Sequence, residues 1–236
     1  MSNEYIILGL TFFAGSCMLI GALIAHGVGT CGRAFRHFVV ALGGGILFGG
    51  VAVVLVPKGL DTMEHSLWPV ALILSGGFFF FILEQQLGQR RLEAPQVTGM
   101  VLDFVPEAIA LGGLIAVDLS SGILMAVLIA LQNIPEGFNA FLEMRQKQQN
   151  TKKTLLIICF LVPLGPAAGL LGYYVLADEQ VILAAIMLFA SGGILYLIFQ
   201  DIAPQAKLRD HWLPPLGAVF GFCIALAGEI ISTSFL

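Results

Sequence analysis

Eight apolar stretches, each about 20 residues long and so long enough to cross a bilayer, take up almost the whole chain. They run from about Tyr5 to Ala25, His37 to Pro57, Leu67 to Leu87, Val97 to Val117, Ser121 to Leu142, Thr154 to Ala177, Val181 to Ala203 and Leu213 to Phe235. A hydrocarbon core offers no water to backbone N–H and C=O groups, so such segments must close their hydrogen bonds internally, as helices. The expected fold class is therefore all-α: a polytopic membrane protein of eight transmembrane helices, with residues 1–236 forming a single transmembrane domain. Of the 236 residues, 58% are hydrophobic and 11% charged, and the longest polar stretch, about Glu143 to Lys153, is only loop-sized. That excludes an extramembranous enzyme or nucleic-acid module.

The basic residues set the orientation. Arg33 and Arg36 lie between spans one and two, Arg90 and Arg91 between three and four, Arg145, Lys147, Lys152 and Lys153 between five and six, and Lys207 and Arg209 between seven and eight. Only Lys58 of the 11 basic residues falls on the opposite side. The positive-inside bias makes the basic face cytoplasmic, in an inner (plasma) membrane, with both termini periplasmic or extracellular. The start, Met-Ser-Asn-Glu-Tyr, lacks the basic region of a signal peptide, so span one is read as retained. Cys17, Cys31, Cys159 and Cys223 show no C-x-x-C spacing and read as small buried hydrophobes. His26, His37, His65 and His211 fall at or near helix ends, where amphipathic rings suit the interface.

Internal repetition is present. Gly44-Gly45-Ile46-Leu47 in span two precedes Pro57, and Gly192-Gly193-Ile194-Leu195 in span seven precedes Pro204, one residue out of step. Spans three and eight open near Trp68-Pro69 and Pro214-Pro215, and reach Gly77-Phe78 and Gly221-Phe222. Two three-helix units around a central pair, a 3+2+3 plan, are expected. Because span one starts outside and span six inside, the units would be inverted repeats, a plan that places a site at the midplane.

The central pair carries the chemistry. Asp103-Phe104-Val105-Pro106-Glu107 in span four and Gln132-Asn133-Ile134-Pro135-Glu136-Gly137 in span five set polar groups and a proline where both are costly. Residues four apart share a helical face, so Asp103 lies over Glu107 and Gln132 over Glu136, and the antiparallel spans bring both motifs to similar depth. Pro106 and Pro135 cannot donate to the Leu102 and Leu131 carbonyls, so a kink and a freed carbonyl are expected in each helix. No span carries Lys or Arg in its middle. At roughly 3 kcal/mol per central charge, three unpaired carboxylates would cost on the order of 9 kcal/mol, so they must bind cations or hold protons. Asn139 continues the polar face of span five toward an exit path, while Asp61, Glu64 and His65 form a weaker outer cluster.

These motifs, the span plan, Phe78 to Glu84 closing span three, and Ala190 to Tyr196 leading to Asp201 resemble the ZIP (Zrt/Irt-like) divalent metal transporters. The resemblance implies metal ligands at Asp103, Glu107, Gln132, Asn133 and Glu136, a homodimer in the lipid bilayer, inward movement by alternating access, and no cofactor or enzymatic activity, the cation being the substrate. Family members have a histidine where Asp103 stands, an asparagine at Phe104, a glutamate at Gly165 before Pro166, and a methionine near Leu47. They also carry a histidine-rich loop that is here shortened to about Gly88 to Gln96. One metal site is therefore expected where relatives form a bridged pair. Its oxygen-rich shell favours harder cations such as Mn²⁺, Mg²⁺ or Ca²⁺, although zinc also binds carboxylates. A non-transporting relative that binds metal or protons in a regulatory role is the alternative. An intramembrane protease is disfavoured because no His-Glu-x-x-His motif occurs. In uptake competition among divalent cations, Asp103→His is expected to move preference toward Zn²⁺; an unchanged order would remove Asp103 from the ligand set.

Overall fold

The computed structural model describes residues 3–28, 32–63, 67–89, 95–146, 150–176 and 179–235. Cys31, Glu64, His65, Arg90, Arg91 and Lys147, and with Arg90 to Ala94 most of the shortened loop, lie outside the described residues. Eight helices are long and apolar enough to cross a membrane. They are α1 (Asn3–Val28), α2 (Arg33–Thr62), α3 (Trp68–Gln89), α4 (Pro95–Val117), α5 (Leu119–Gln146), α6 (Thr151–Leu176), α7 (Gln180–Ala206) and α8 (Leu213–Phe235). Each expected span falls within one of them, except that the third begins one residue before α3 and Ala177, the end of the sixth, lies outside the described residues. Several helices overrun their apolar stretch, as α5 does in carrying Glu143 and Arg145 on its last turn.

Three helices change pitch or break, and proline is present each time. In α2 the turn Val51–Leu55 is π-helical and ends one residue before Pro57; in α7 the turn Ile198–Ile202 is π-helical and ends one residue before Pro204. The Val56 N–H reaches back to the Val51 carbonyl and the Ala203 N–H to that of Ile198, widening the turn just where the next ring removes a donor and crowds the preceding carbonyls. Helix α6 is interrupted at Val162 and Pro163, between Leu161 and Leu164. By contrast, α4 and α5 stay helical through Pro106 and Pro135.

Glycine governs how the helices meet. Helix α1 lies along α5, α4 along α6, α2 along α8 and α3 along α7. Each pair touches backbone to backbone in both directions. A methyl group at Gly21 would collide with the Ile134 carbonyl, and one at Gly137 with the Met18 carbonyl. The same holds for Gly112 against Gly169 and Gly172 against Ile109, for Gly45 against Ala218 and Gly221 against Leu42, and for Gly76 against Phe189 and Gly192 against Ile73. Small residues permit this approach, which stabilises helix pairs where burial from water cannot. Cys17 is buried in this packing, whereas Cys159 and Cys223 face outward, a correction to the expectation that the cysteines are buried. Both outward cysteines lie on helix faces turned away from the bundle, which an apolar surrounding tolerates as readily as an interior.

Gly192→Ala is expected to lower the thermal midpoint in detergent, by an overpacking cost of about 1–3 kcal/mol. Gly9→Ala, with open space around it, should leave it unchanged. Equal midpoints for the two variants would refute the close-contact reading.

Candidate metal site

Helices α4 and α5 are antiparallel and packed together, so their motif residues form two layers. Asp103 and Glu136 stand one turn nearer the basic side than Glu107 and Gln132, as the spacing of four requires. The first layer opens on a cavity of about 330 Å³ whose lining includes Arg36, Leu47, Asn139, Glu143 and Asp201. The second is enclosed among Leu47, Val51, Val54, Leu128, Ile129 and Ile194, around a space of about 10 Å³, barely enough for one water. The polar path from the basic side therefore ends at this apolar collar.

The layers differ in hydrogen bonding. Gln132 Nε2 donates to both carboxylate oxygens of Glu107, at 2.9 and 2.7 Å, and both residues are buried. Asp103 Oδ1, both Glu136 carboxylate oxygens and Asn139 Oδ1 are buried without a hydrogen-bond partner. Unsatisfied acceptors in a confined space are costly, and a cation or water would relieve them. Asp103 interacts electrostatically with Glu107 and Asp201, and Glu136 with Asp103 and Glu107. Four carboxylates and one guanidinium, Arg36 at the basic end, border the cavity, a balance that concentrates cations. Among the described residues no three Asp, Glu, His or Cys side chains converge closely enough to hold an ion in this conformation.

Asn133 is placed apart from the other four motif residues. It is 1% exposed, and its Nδ2 donates to the Ala14 carbonyl of α1 at 2.8 Å, beside the Gly21 and Gly137 contacts. One residue from Gln132 is about 100° around the helix, so the two cannot share a face. Phe104 is 1% exposed and packs between Gly15 and Gly165, where a side chain at Gly165 would strike its ring and the Thr11 carbonyl. The ring thus occupies the space beside Gly165. Leu47 does face the site, lining both the cavity and the collar.

Sequence reasoning passed over Arg36 and Glu143. Arg36, Val40, Gly43 and Leu47 fall at helical spacing, as do Gln132, Glu136, Asn139 and Glu143, so both lining faces were open to a periodicity argument. It also missed what closes the opposite side. There Lys58 Nζ meets Asp118 Oδ2 at 2.6 Å, tying the end of α2 to the α4–α5 turn, next to a cavity of about 230 Å³ that Asp61 also lines. Asp118 also caps α5, accepting from the Ser121 N–H at 3.2 Å and hydroxyl at 2.7 Å. Partial burial pushes the Asp118 carboxyl up, but the hydrogen bonds from Lys58 and Ser121 outweigh it and hold the group at about 2.

Two comparisons bear on this geometry. A family model described as ZIP zinc transporter matches residues 89–228, more than half of the chain. The zinc transporter ZupT of Chlorobium limicola is 29% identical over 150 residues, covering 60% of this chain and 53% of that protein. The chain thus spans about half the length of the curated relative it matches.

Because the folded Asp118 value lies below the ordinary 3.8, the pair's stabilisation should be complete above about pH 5 and fade as pH falls through about 4 toward about 2. With both side chains about a third exposed, a Lys58→Met/Asp118→Asn double-mutant cycle should read under about 1 kcal/mol at neutral pH. Coupling that grew on acidification would contradict the assignment.

Proposed function

Because the chain belongs to the ZIP zinc transporter family, we propose that this multi-pass membrane protein carries divalent metal cations across an inner membrane through one carboxylate-rich site between α4 and α5. The observation that carries the reading is the pair of unpartnered carboxylates, Asp103 and Glu136, at the blind end of a cavity reached from the basic side. A cation there is first held by Asp103 and Glu136. It then engages Glu107 and Gln132, the latter by turning its amide oxygen inward. Asn133 holds α5 on α1 through its Nδ2 bond to the Ala14 carbonyl, which leaves its Oδ1, buried without a partner, as the atom that would serve as a ligand. Phe104 and Gly165 favour a single metal position, and the oxygen shell favours Mn²⁺ or another harder cation alongside Zn²⁺.

A path on one side and a collar on the other support alternating access. The reverse state must part Leu47, Val51 and Leu128 and release Lys58 from Asp118. The paired packing supports inverted three-helix units around α4 and α5: α1 with α5 mirrors α6 with α4, α2 with α8 mirrors α7 with α3, and the π-helical turns before Pro57 and Pro204 correspond. Cytoplasmic basic loops, outside termini, inward movement and a homodimer complete the proposal. A second reading, a membrane protein that binds metal or protons without moving them, draws support from Glu107, whose oxygens are both taken by Gln132.

Uptake into proteoliposomes from a panel of Zn²⁺, Cd²⁺, Fe²⁺, Mn²⁺, Mg²⁺ and Ca²⁺ tests the proposal. Glu107→Ala with Glu136→Ala should abolish uptake and weaken cation binding together, and undiminished uptake would sink the site. Cation binding with no flux in the unaltered protein would favour the second reading.

A further inference from the structure

A cavity of about 670 Å³ lies outside the carboxylate site, between α2, the end of α7 and the start of α8. Its walls include Phe48 of α2 and Ile198, Phe199 and Ile202 from the π-helical turn of α7. Its rim is the α7–α8 connection, with Lys207, Arg209, His211 and Trp212. Asp210 lies within this rim at φ 62°, and the His211 N–H donates to the Leu208 carbonyl at 3.3 Å, a tight turn that gathers the basic side chains at one cavity.

We propose that this groove binds an anionic phospholipid, with an acyl chain against Phe48, Phe199 and Ile202 and the phosphate between Lys207 and Arg209. Lys207 and Arg209 are exposed and form no ion pair in the structure, with Asp210 or any other described residue. Two cations against one carboxylate leave the rim net positive, complementary to a phosphate monoanion. A zwitterionic lipid brings its own ammonium to the same place and gains less. Trp212, 90% exposed, has the amphipathic ring that favours the headgroup level, and Phe199, 70% exposed, continues the apolar wall below it. The rim belongs to the basic face of the chain, which sequence reading puts against the anionic leaflet.

The groove and the carboxylate cavity share a wall. Gly44 and Ile202 line both, and a methyl group at Gly44 would stand 2.6 Å from Ile202 Cγ2, so the partition is one side chain thick. A lipid in the groove would brace the turn that presents Asp201 to the cations. That consequence rests on the transport reading; lipid binding does not.

The chain has two tryptophans, so Trp68→Phe leaves Trp212 as the sole reporter. In phosphatidylcholine vesicles without added metal, a small fraction of brominated phosphatidylglycerol should quench Trp212 more than the same fraction of brominated phosphatidylcholine, by about five-fold in effective occupancy for each basic side chain engaged. Lys207→Gln with Arg209→Gln should erase that preference and leave quenching by the neutral lipid unchanged, which also shows that the variant has kept its fold. Equal quenching by the two lipids would overturn the proposal. So would protection of Trp212 from both, the result expected if a second copy of the chain covers the groove.

Discussion

Backbone-to-backbone approach at glycine is the interaction on which the rest of this structure depends. Among helices surrounded by lipid, apolar burial does not discriminate one partner from another, so pairing rests on how closely main chains can come. Here the reciprocal glycine contacts divide the helices into two kinds of pair. Those of α1 with α5 and α4 with α6 carry the motif residues; those of α2 with α8 and α3 with α7 flank them. Gly137, which belongs to the second motif, is explained by the Met18 carbonyl rather than by any chemistry of its own. The glycines of α2 are likewise divided. Gly45 and Gly49 are committed to α8, and Gly43 alone among them meets the motif, where an added methyl group would stand 3.0 Å from Pro135 Cβ. The glycine surface that α2 offers to the central pair is therefore narrow.

Much of the fold was legible because a bilayer leaves few options. Eight apolar stretches had to be helices, and the gathering of basic residues in alternate loops supported the count of eight. The one-residue slip between the Gly-Gly-Ile-Leu motifs and their prolines pointed to related segments, but not to the π-helical turns, because pitch just before a proline is settled by local crowding. The layering of Asp103 with Glu136 and Glu107 with Gln132 was implicit in the spacing of four. Asn133 was harder. Its type suits both a ligand and a packing anchor, and only the arrival of the Ala14 carbonyl from a helix more than a hundred residues earlier decides which hydrogen bond it makes. Lys58 stood out in the sequence as a lone outer cation. Asp118, 60 residues away, could not be matched to it before the end of α2 and the α4–α5 turn were brought together.

Under the proposed transport reading, the Gln132–Glu107 contact bears most directly on how the collar would open. A buried carboxylate without a basic partner needs donors, and the amide supplies two N–H contacts to it. In that orientation Gln132 takes the place that a cation would fill. The same side chain carries an oxygen at its other corner, so rotation of the amide changes it from a donor to Glu107 into a ligand for a metal. The rotated form sets an oxygen against a carboxylate and is unfavourable until a cation comes between them. A cation arriving from Asp103 and Glu136 would thus make the rotation favourable and release Glu107 in the same event. Leu47, which lines both layers, is the apolar side chain that would have to yield as an ion advanced. Passage through the collar would in this way depend on the cation itself, with no basic residue needed to restore neutrality once it leaves.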